Sequence, residues 1–172
     1  MNSRWILVGA RIILVTSVIV SGLALVNIPV ARAETFNVIS TADVGDATPG
    51  DNTCATAIGE CTLRAAIEES NANGEADVIR MAAGTYTLTA GTLPITTQIE
   101  VVPNQATDQV TITSNGPTLF TVNAGGDLTL TRLTLTGATA GPAVDVNAGT
   151  LNITTSTLTN NTNGAIRVNG VA

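Results

Sequence analysis

Apolar residues and threonines alternate along most of the chain from Thr85 onward. Residues 87–89, 129–131 and 134–136, for example, each read Thr-Leu-Thr. A period of two is typical of strands with one buried face, and threonine fits a pleated surface better than a helix. The pattern therefore predicts short strands whose leucine, isoleucine and valine side chains point into a core.

The alternating segments also recur at a longer and nearly constant interval of about 23 residues, which is the length scale of a structural repeat. The matched positions are Leu128/Leu151, Leu130/Ile153, Leu135/Leu158, Phe120/Val144/Ile166 and Val122/Val146/Val168. Similarity at such an interval predicts a solenoid, and several strands per repeat favour an all-β, right-handed parallel β-helix. An antiparallel sandwich of short strands is the alternative, although it needs no constant offset between strands.

One helix is predicted ahead of the repeats, within residues 61–74. Thr62 fits the N-cap position, and Leu63 and Ile67 belong to an apolar stripe at helical spacing. Gly74 fits the left-handed residue that follows a helix. Because the first coil of a solenoid has an open end, we expect this helix to be an N-terminal α-helical cap.

The region around this helix resembles a known family. Residues 54–73, with Cys-Thr-Leu-Arg-Ala-Ala at positions 61–66, resemble the CSLREA domain, and three flanking segments also match its pattern: residues 36–43, 76–79 and 84–88. Thr62 replaces the family's serine, and Ala65 replaces its glutamate, which removes half of a capping box. The resemblance implies a secreted or surface bacterial protein, a right-handed β-helix after the domain and no known catalytic residue.

The segment 1–33 reads as a signal peptide. Arginines precede an apolar run over residues 12–30, and Ala-Arg-Ala at 31–33 has the form of a signal-peptidase site. Cleavage there makes Glu34 the first residue. An uncleaved membrane anchor is the alternative, and in that case the protein contacts the membrane through this segment.

Two cysteines, Cys54 and Cys61, lie beyond the export segment. An oxidising compartment and this short spacing favour a disulfide bond, with free thiols as the alternative. Two cysteines without any histidine make a poor zinc site.

The charge balance restricts partners and chemistry. Beyond residue 33, four arginines stand against all 13 acidic residues, which gives a net charge of −9 without lysine or histidine. This charge argues against binding of nucleic acid, and the usual general base is missing. Calcium is the one cofactor we consider, with Asp43, Asp46 and Asp51 as candidate ligands; the alternative is an acidic surface loop.

We therefore divide the chain into three parts: a signal peptide (1–33), a CSLREA-like cap region with the cysteine loop and the helix (34–84), and β-helix coils (85–172). Two to three coils are expected, and their C-terminal end looks incomplete. An open last coil predicts end-to-end self-association.

Two functions fit this organisation. The first is a non-catalytic, adhesin-like or structural module, secreted or on the cell surface, whose ligand is extracellular and unidentified. The second is a remnant of a carbohydrate-active β-helix enzyme. We favour the first because Asp145 and Arg167, which lie one repeat apart, fit a ladder pair between coils better than a catalytic pair.

Overall fold

Thirteen strands and one helix make up the residues that the computed structural model describes, 33–116 and 118–169. The predicted signal peptide, up to residue 32, lies outside the described residues. The helix is α1 (Leu63–Asn73). The strands are β1 (Thr35–Val38), β2 (Asp77–Met81), β3 (Gly84–Leu88), β4 (Leu93–Ile95), β5 (Gln98–Pro103), β6 (Val110–Ser114), β7 (Phe120–Val122), β8 (Asp127–Thr131), β9 (Thr134–Thr136), β10 (Val144–Val146), β11 (Thr150–Thr154), β12 (Thr157–Thr159) and β13 (Ile166–Val168).

The strands form three parallel sheets that the chain visits in turn. The first sheet has the order β1-β2-β5-β8-β11, the second β12-β9-β6-β3 and the third β13-β10-β7-β4. From β2 onward the chain thus makes four coils, each with one strand per sheet. The parallel solenoid predicted from the sequence is confirmed, and the sandwich alternative is wrong because every pairing is parallel.

The register of the coils matches the offsets read from the sequence. Leu128 is opposite Leu151 and Leu135 is opposite Leu158 in neighbouring coils. In the third sheet the column Phe120–Val144–Ile166 is likewise in register. Fixed offsets of this kind stack like side chains directly above one another, about 4.8 Å apart.

The inside of the coils is apolar, as the alternation predicts. In β8, Leu128 and Leu130 are fully buried, whereas the threonines between and after them are half-buried. Full burial of one leucine stabilises the fold by roughly 2 kcal/mol relative to an exposed side chain. A one-residue slip would turn every leucine outward, so the alternation fixes the register.

The first sheet begins earlier in the sequence than the predicted coils. Strand β1 pairs with β2 in register from Thr35 opposite Val78, and β2 pairs with β5. Both β1 and β2 lie within the region assigned to the cap. With the coil that begins at β2, the structure has four coils, whereas two or three were expected. The offset between Thr35 and Val78 is much longer than a coil because the cysteine loop and α1 are inserted there.

The predicted helix is present with the predicted end residues. The Thr62 hydroxyl accepts a hydrogen bond from the Ala65 amide at 3.1 Å, and Gly74 ends the helix at φ +75°. Leu63 and Ile67 are buried in the same hydrophobic cluster as the coil interior. The helix contacts β1, β2 and β4, so its apolar stripe packs on the first coil.

The last coil is much more exposed than the others. Leu151 and Ile153 are half-buried, while Ile166 and Val168 are 45% and 60% exposed. Within the described residues, β11, β12 and β13 each pair with a strand on one side.

Candidate functional site

Among the described residues, the most connected polar group is the Asp43 carboxylate, which lies between β1, here called the leader strand, and α1. It accepts hydrogen bonds from Arg64 Nε at 2.7 Å and Arg64 Nη2 at 3.2 Å, and also from the amides of Thr89 and Ala90. The Arg64 guanidinium also donates to the Gly91 carbonyl at 2.7 Å. One ion pair therefore ties three segments together: the leader, the helix and the turn after β3.

The surroundings of Asp43 favour its charged form. Burial by itself opposes ionisation, but the hydrogen bonds from Arg64 and from the Ala90 and Thr89 amides outweigh it and hold the pKa of Asp43 below its usual value of 3.8. The two side chains are 4% and 9% exposed for Asp43 and Arg64. A pair this well shielded from water is costly to break at one partner.

The cysteine loop is closed as predicted. Cys54 and Cys61 form a disulfide with a Cα–Cα distance of 5.1 Å. Two helix carboxylates hold the backbone of the segment that precedes Cys54: Glu68 accepts from the Asp46 amide at 2.8 Å, and Glu69 accepts from the amides of Gly50 and Asn52. Glu69 is fully buried, so these amides take the place of water around its charge.

The sequence interpretation missed the role of Glu68 and Glu69. Two adjacent acids on a short helix are an ordinary solvated pattern. The turn-rich segment before Cys54 was the available signal, because backbone amides in turns often lack a partner within the main chain and can donate to nearby carboxylates.

The three calcium candidates are not brought together by the fold. Asp43 binds Arg64, while Asp46 accepts from the amides of Thr48 and Ala55, each at 2.8 Å. Asp51 accepts from the Thr48 hydroxyl at 2.7 Å, a hydrogen bond that lowers the Asp51 pKa. Among the described residues, no group of three metal-binding side chains is found. The candidates act here as acceptors within the loop, and calcium binding stays a prediction.

Asp145 and Arg167 form the predicted ladder pair between the third and fourth coils. They are opposite one another in β10 and β13, and Arg167 donates through Nε at 3.1 Å and through Nη2. The Asp145 hydrogen bond raises the pKa of Arg167. Asn169 also donates to Asp145, at 2.6 Å. The carboxylate is thus engaged by two residues of the next coil.

A column of asparagines stands next to this pair and was not foreseen. Asn169 donates to Asn147 at 3.1 Å, and Asn147 donates to Asn123 at 3.3 Å. The three residues follow β7, β10 and β13, and their spacing is the same as that of the apolar columns. The repeat offset applied to polar residues would have found them.

A shallow groove of about 240 Å³ runs beside the corner between the first and second sheets. Asp108, Arg132, Thr155 and Thr157 are among its lining residues. The Arg132 guanidinium has no ion pair with any described residue. The backbone of Arg132 is in the left-handed region, at φ +56°. The groove therefore offers both hydrogen-bond donors and acceptors to solvent.

The carboxylates of Asp43, Glu69 and Asp145 thus serve as ties within the fold. In the described part of the chain, no helix is long and apolar enough to cross a membrane. Comparison of the chain with models of protein families, with curated proteins and with solved structures finds no match.

Proposed function

We propose that the chain is a non-catalytic β-helix module that is secreted or displayed on the surface of a bacterial cell. The observation that carries the proposal is the use of its charged side chains. Asp43 with Arg64 and Asp145 with Arg167 are engaged in fixed pairs that join separate segments. Groups held in this way stabilise a scaffold and are poorly placed to exchange protons with a substrate.

The finer architecture belongs to the same proposal. We infer that α1 is an N-terminal cap over the first coil, that the coils wind right-handedly, and that residues 34–84 form a CSLREA-like region. The burial of Leu63 and Ile67 against the coil interior supports the cap. The Cys54–Cys61 disulfide supports an oxidising, extracytoplasmic location.

Location and processing test this role. Antibodies against the coils should label intact, unpermeabilised cells or precipitate the protein from culture medium. Mass spectrometry without reductant should show the two-hydrogen loss of the disulfide in that protein. Label that appears only after permeabilisation, with both thiols open to alkylation, would contradict a surface or secreted role.

A second candidate, a remnant of a carbohydrate-active enzyme, is favoured by the open groove beside Asp108 and Arg132. Assays on neutral and acidic polysaccharides, with and without calcium, separate the two functions. The scaffold role predicts no cleavage. Reproducible cleavage that disappears in Arg132→Gln, but persists in the exposed control Arg80→Gln, would establish the enzyme instead.

A further inference from the structure

The backbone amide of Glu34 points at a buried carboxylate. It donates a hydrogen bond to Asp77 Oδ1 at 2.8 Å, and the Asp77 residue is 2% exposed. The other carboxylate oxygen accepts from the Asn73 side chain at 3.0 Å. The Glu34 carbonyl accepts from the Val78 amide at 3.0 Å, which fixes Glu34 at the start of the β1–β2 pairing.

This amide nitrogen is also the one that the predicted signal-peptidase cleavage would release. We propose that hydrolysis of the Ala33–Glu34 bond turns the Glu34 nitrogen into an α-ammonium group that pairs with Asp77 and fastens the leader strand to the coils. The inference rests on the proposed export of the chain. In the reaction, the C–N bond breaks, the hydroxyl of water passes to the Ala33 carbonyl carbon, and the other hydrogen of water passes to the Glu34 nitrogen. The new Ala33 carboxylic acid then gives up its proton, and the amine takes up one proton, so the products are a carboxylate and an ammonium group.

The physical gain comes from adding a charge at a site that already has its acceptor. An α-amino group is largely protonated at neutral pH, so a neutral amide donor becomes a cation. Charge-assisted hydrogen bonds are about twice as strong as neutral ones, and burial of Asp77 reduces screening by water and salt. Because the hydrogen-bond partner is already in place, processing requires no rearrangement of β1.

The position of Asp77 makes this pair a junction. Asp77 is the first residue of β2 and holds the last residue of α1 through Asn73. An ion pair with Glu34 would therefore connect the leader strand, the end of the helix and the first coil. Processing would strengthen the packing at this end of the protein after export.

The composition allows a clean test. The chain contains no lysine, so the exported protein should carry a single amine, the Glu34 α-amino group. Acetylation in denaturant followed by refolding restores a neutral amide at this nitrogen and removes the charge. The folding equilibrium of the free and acetylated forms is compared in the wild type, in Asp77→Asn and in Asp127→Asn. Asp127 is a matched control because it also begins a strand of the first sheet.

We expect acetylation to lower the folding equilibrium constant of the wild type and of Asp127→Asn by about tenfold, and that of Asp77→Asn by less than about twofold. An equal effect of acetylation in all three proteins, or no effect in any, would overturn the proposal. If Asp77→Asn does not fold, the rate of amine acylation decides: the native wild type should react at least about tenfold more slowly than the denatured chain. Equal rates would overturn the ion pair.

N-terminal sequencing separates this inference from the proposed function. An exported chain that begins at Glu34 supports both. An exported chain that begins elsewhere overturns the ion pair and leaves the surface role standing. A chain that stays in the cytoplasm contradicts the surface role itself.

Discussion

The two ends of the coil stack contain the same kind of apolar column but bury it to very different extents. At the first end, Leu93 and Ile95 of the first coil are fully buried, as is Ile67 of the helix that packs on this coil. At the other end, Ile166 and Val168 continue the columns of Val144 and Val146 but are 45% and 60% exposed. The difference shows that the neighbouring layer, and not the residue type or its position in the repeat, determines how much an inward side chain stabilises the fold.

The largest expected difference between the ends is in apolar truncation. Ile67→Ala removes fully buried methyl groups and leaves a cavity, so it should lower the free energy of unfolding by about 3 kcal/mol. Ile166→Ala, its matched control in the last coil, should cost less than about 1 kcal/mol because much of this side chain is already in water. Thermal and denaturant unfolding measure both.

A large loss in Ile166→Ala would break this comparison. Together with a melting temperature that rises with protein concentration, it would mean that a second copy covers the last coil. That outcome is the end-to-end self-association expected from the sequence, and sedimentation over a wide concentration range would reveal it directly.

The ion pairs provide the second comparison. Asp43→Asn removes the negative charge that faces the buried Arg64 guanidinium. This substitution should lower the free energy of unfolding by about 2–3 kcal/mol. Asp145→Asn weakens a pair whose arginine side chain is 54% exposed, so its loss should be much smaller. Denaturant midpoints of the two variants check this order. A loss in Asp43→Asn as small as that in Asp145→Asn would show that Arg64 finds another partner when the Asp43 charge is removed.

The disulfide should contribute less than either the helix packing or the buried pair. Replacing Cys54 and Cys61 by serine opens a short loop, since the two cysteines are seven positions apart, and should cost about 2 kcal/mol. A reductant should lower the melting temperature of the wild type to that of the double serine variant. It should leave the melting temperature of the double variant unchanged. A reductant effect in the double variant would indicate a cause other than this bond.

The smallest predicted effect is the acid dependence of the same end. Because the folded-state pKa of Asp43 lies below its unfolded value, its stabilisation is complete above the unfolded pKa of 3.8 and is lost as pH falls through the folded pKa. Wild type should therefore lose more unfolding free energy between about pH 6 and pH 3 than Asp43→Asn. Parallel pH profiles for the two proteins would contradict the pKa shift.

The sequence predicted the repeats better than the region before them. The registers of Leu128 with Leu151 and of Val144 with Ile166 follow from an offset close to 23 residues, because successive coils of similar length impose it. The helix was predictable because Thr62 and Gly74 act locally on its ends. The pairing of β1 with β2 has no repeat offset, since a loop and a helix of arbitrary length are inserted between them.

The candidate site was harder to predict for a similar reason. The Cys54–Cys61 bond and the Asp145–Arg167 pair follow from spacing. The partners of Asp43 are Arg64 and two amides that lie far away along the chain, beyond the helix and β3, and no local pattern encodes contacts at such separations. Acidic residues that looked like a group of ligands instead accept from different backbone and side-chain donors.

The in-register stacking of equivalent strands also has an evolutionary consequence. Because each strand pairs with the equivalent strand of the adjacent coil, duplication of one repeat of about 23 residues would lengthen the molecule by about 4.8 Å and leave its cross-section unchanged. Such a duplication would meet the same neighbours above and below, and the contacts of Asp43 and α1 would be untouched. The length of the solenoid can therefore change by whole coils during evolution. An insertion or deletion of a few residues within a strand would instead shift that strand out of register with the strands it pairs with.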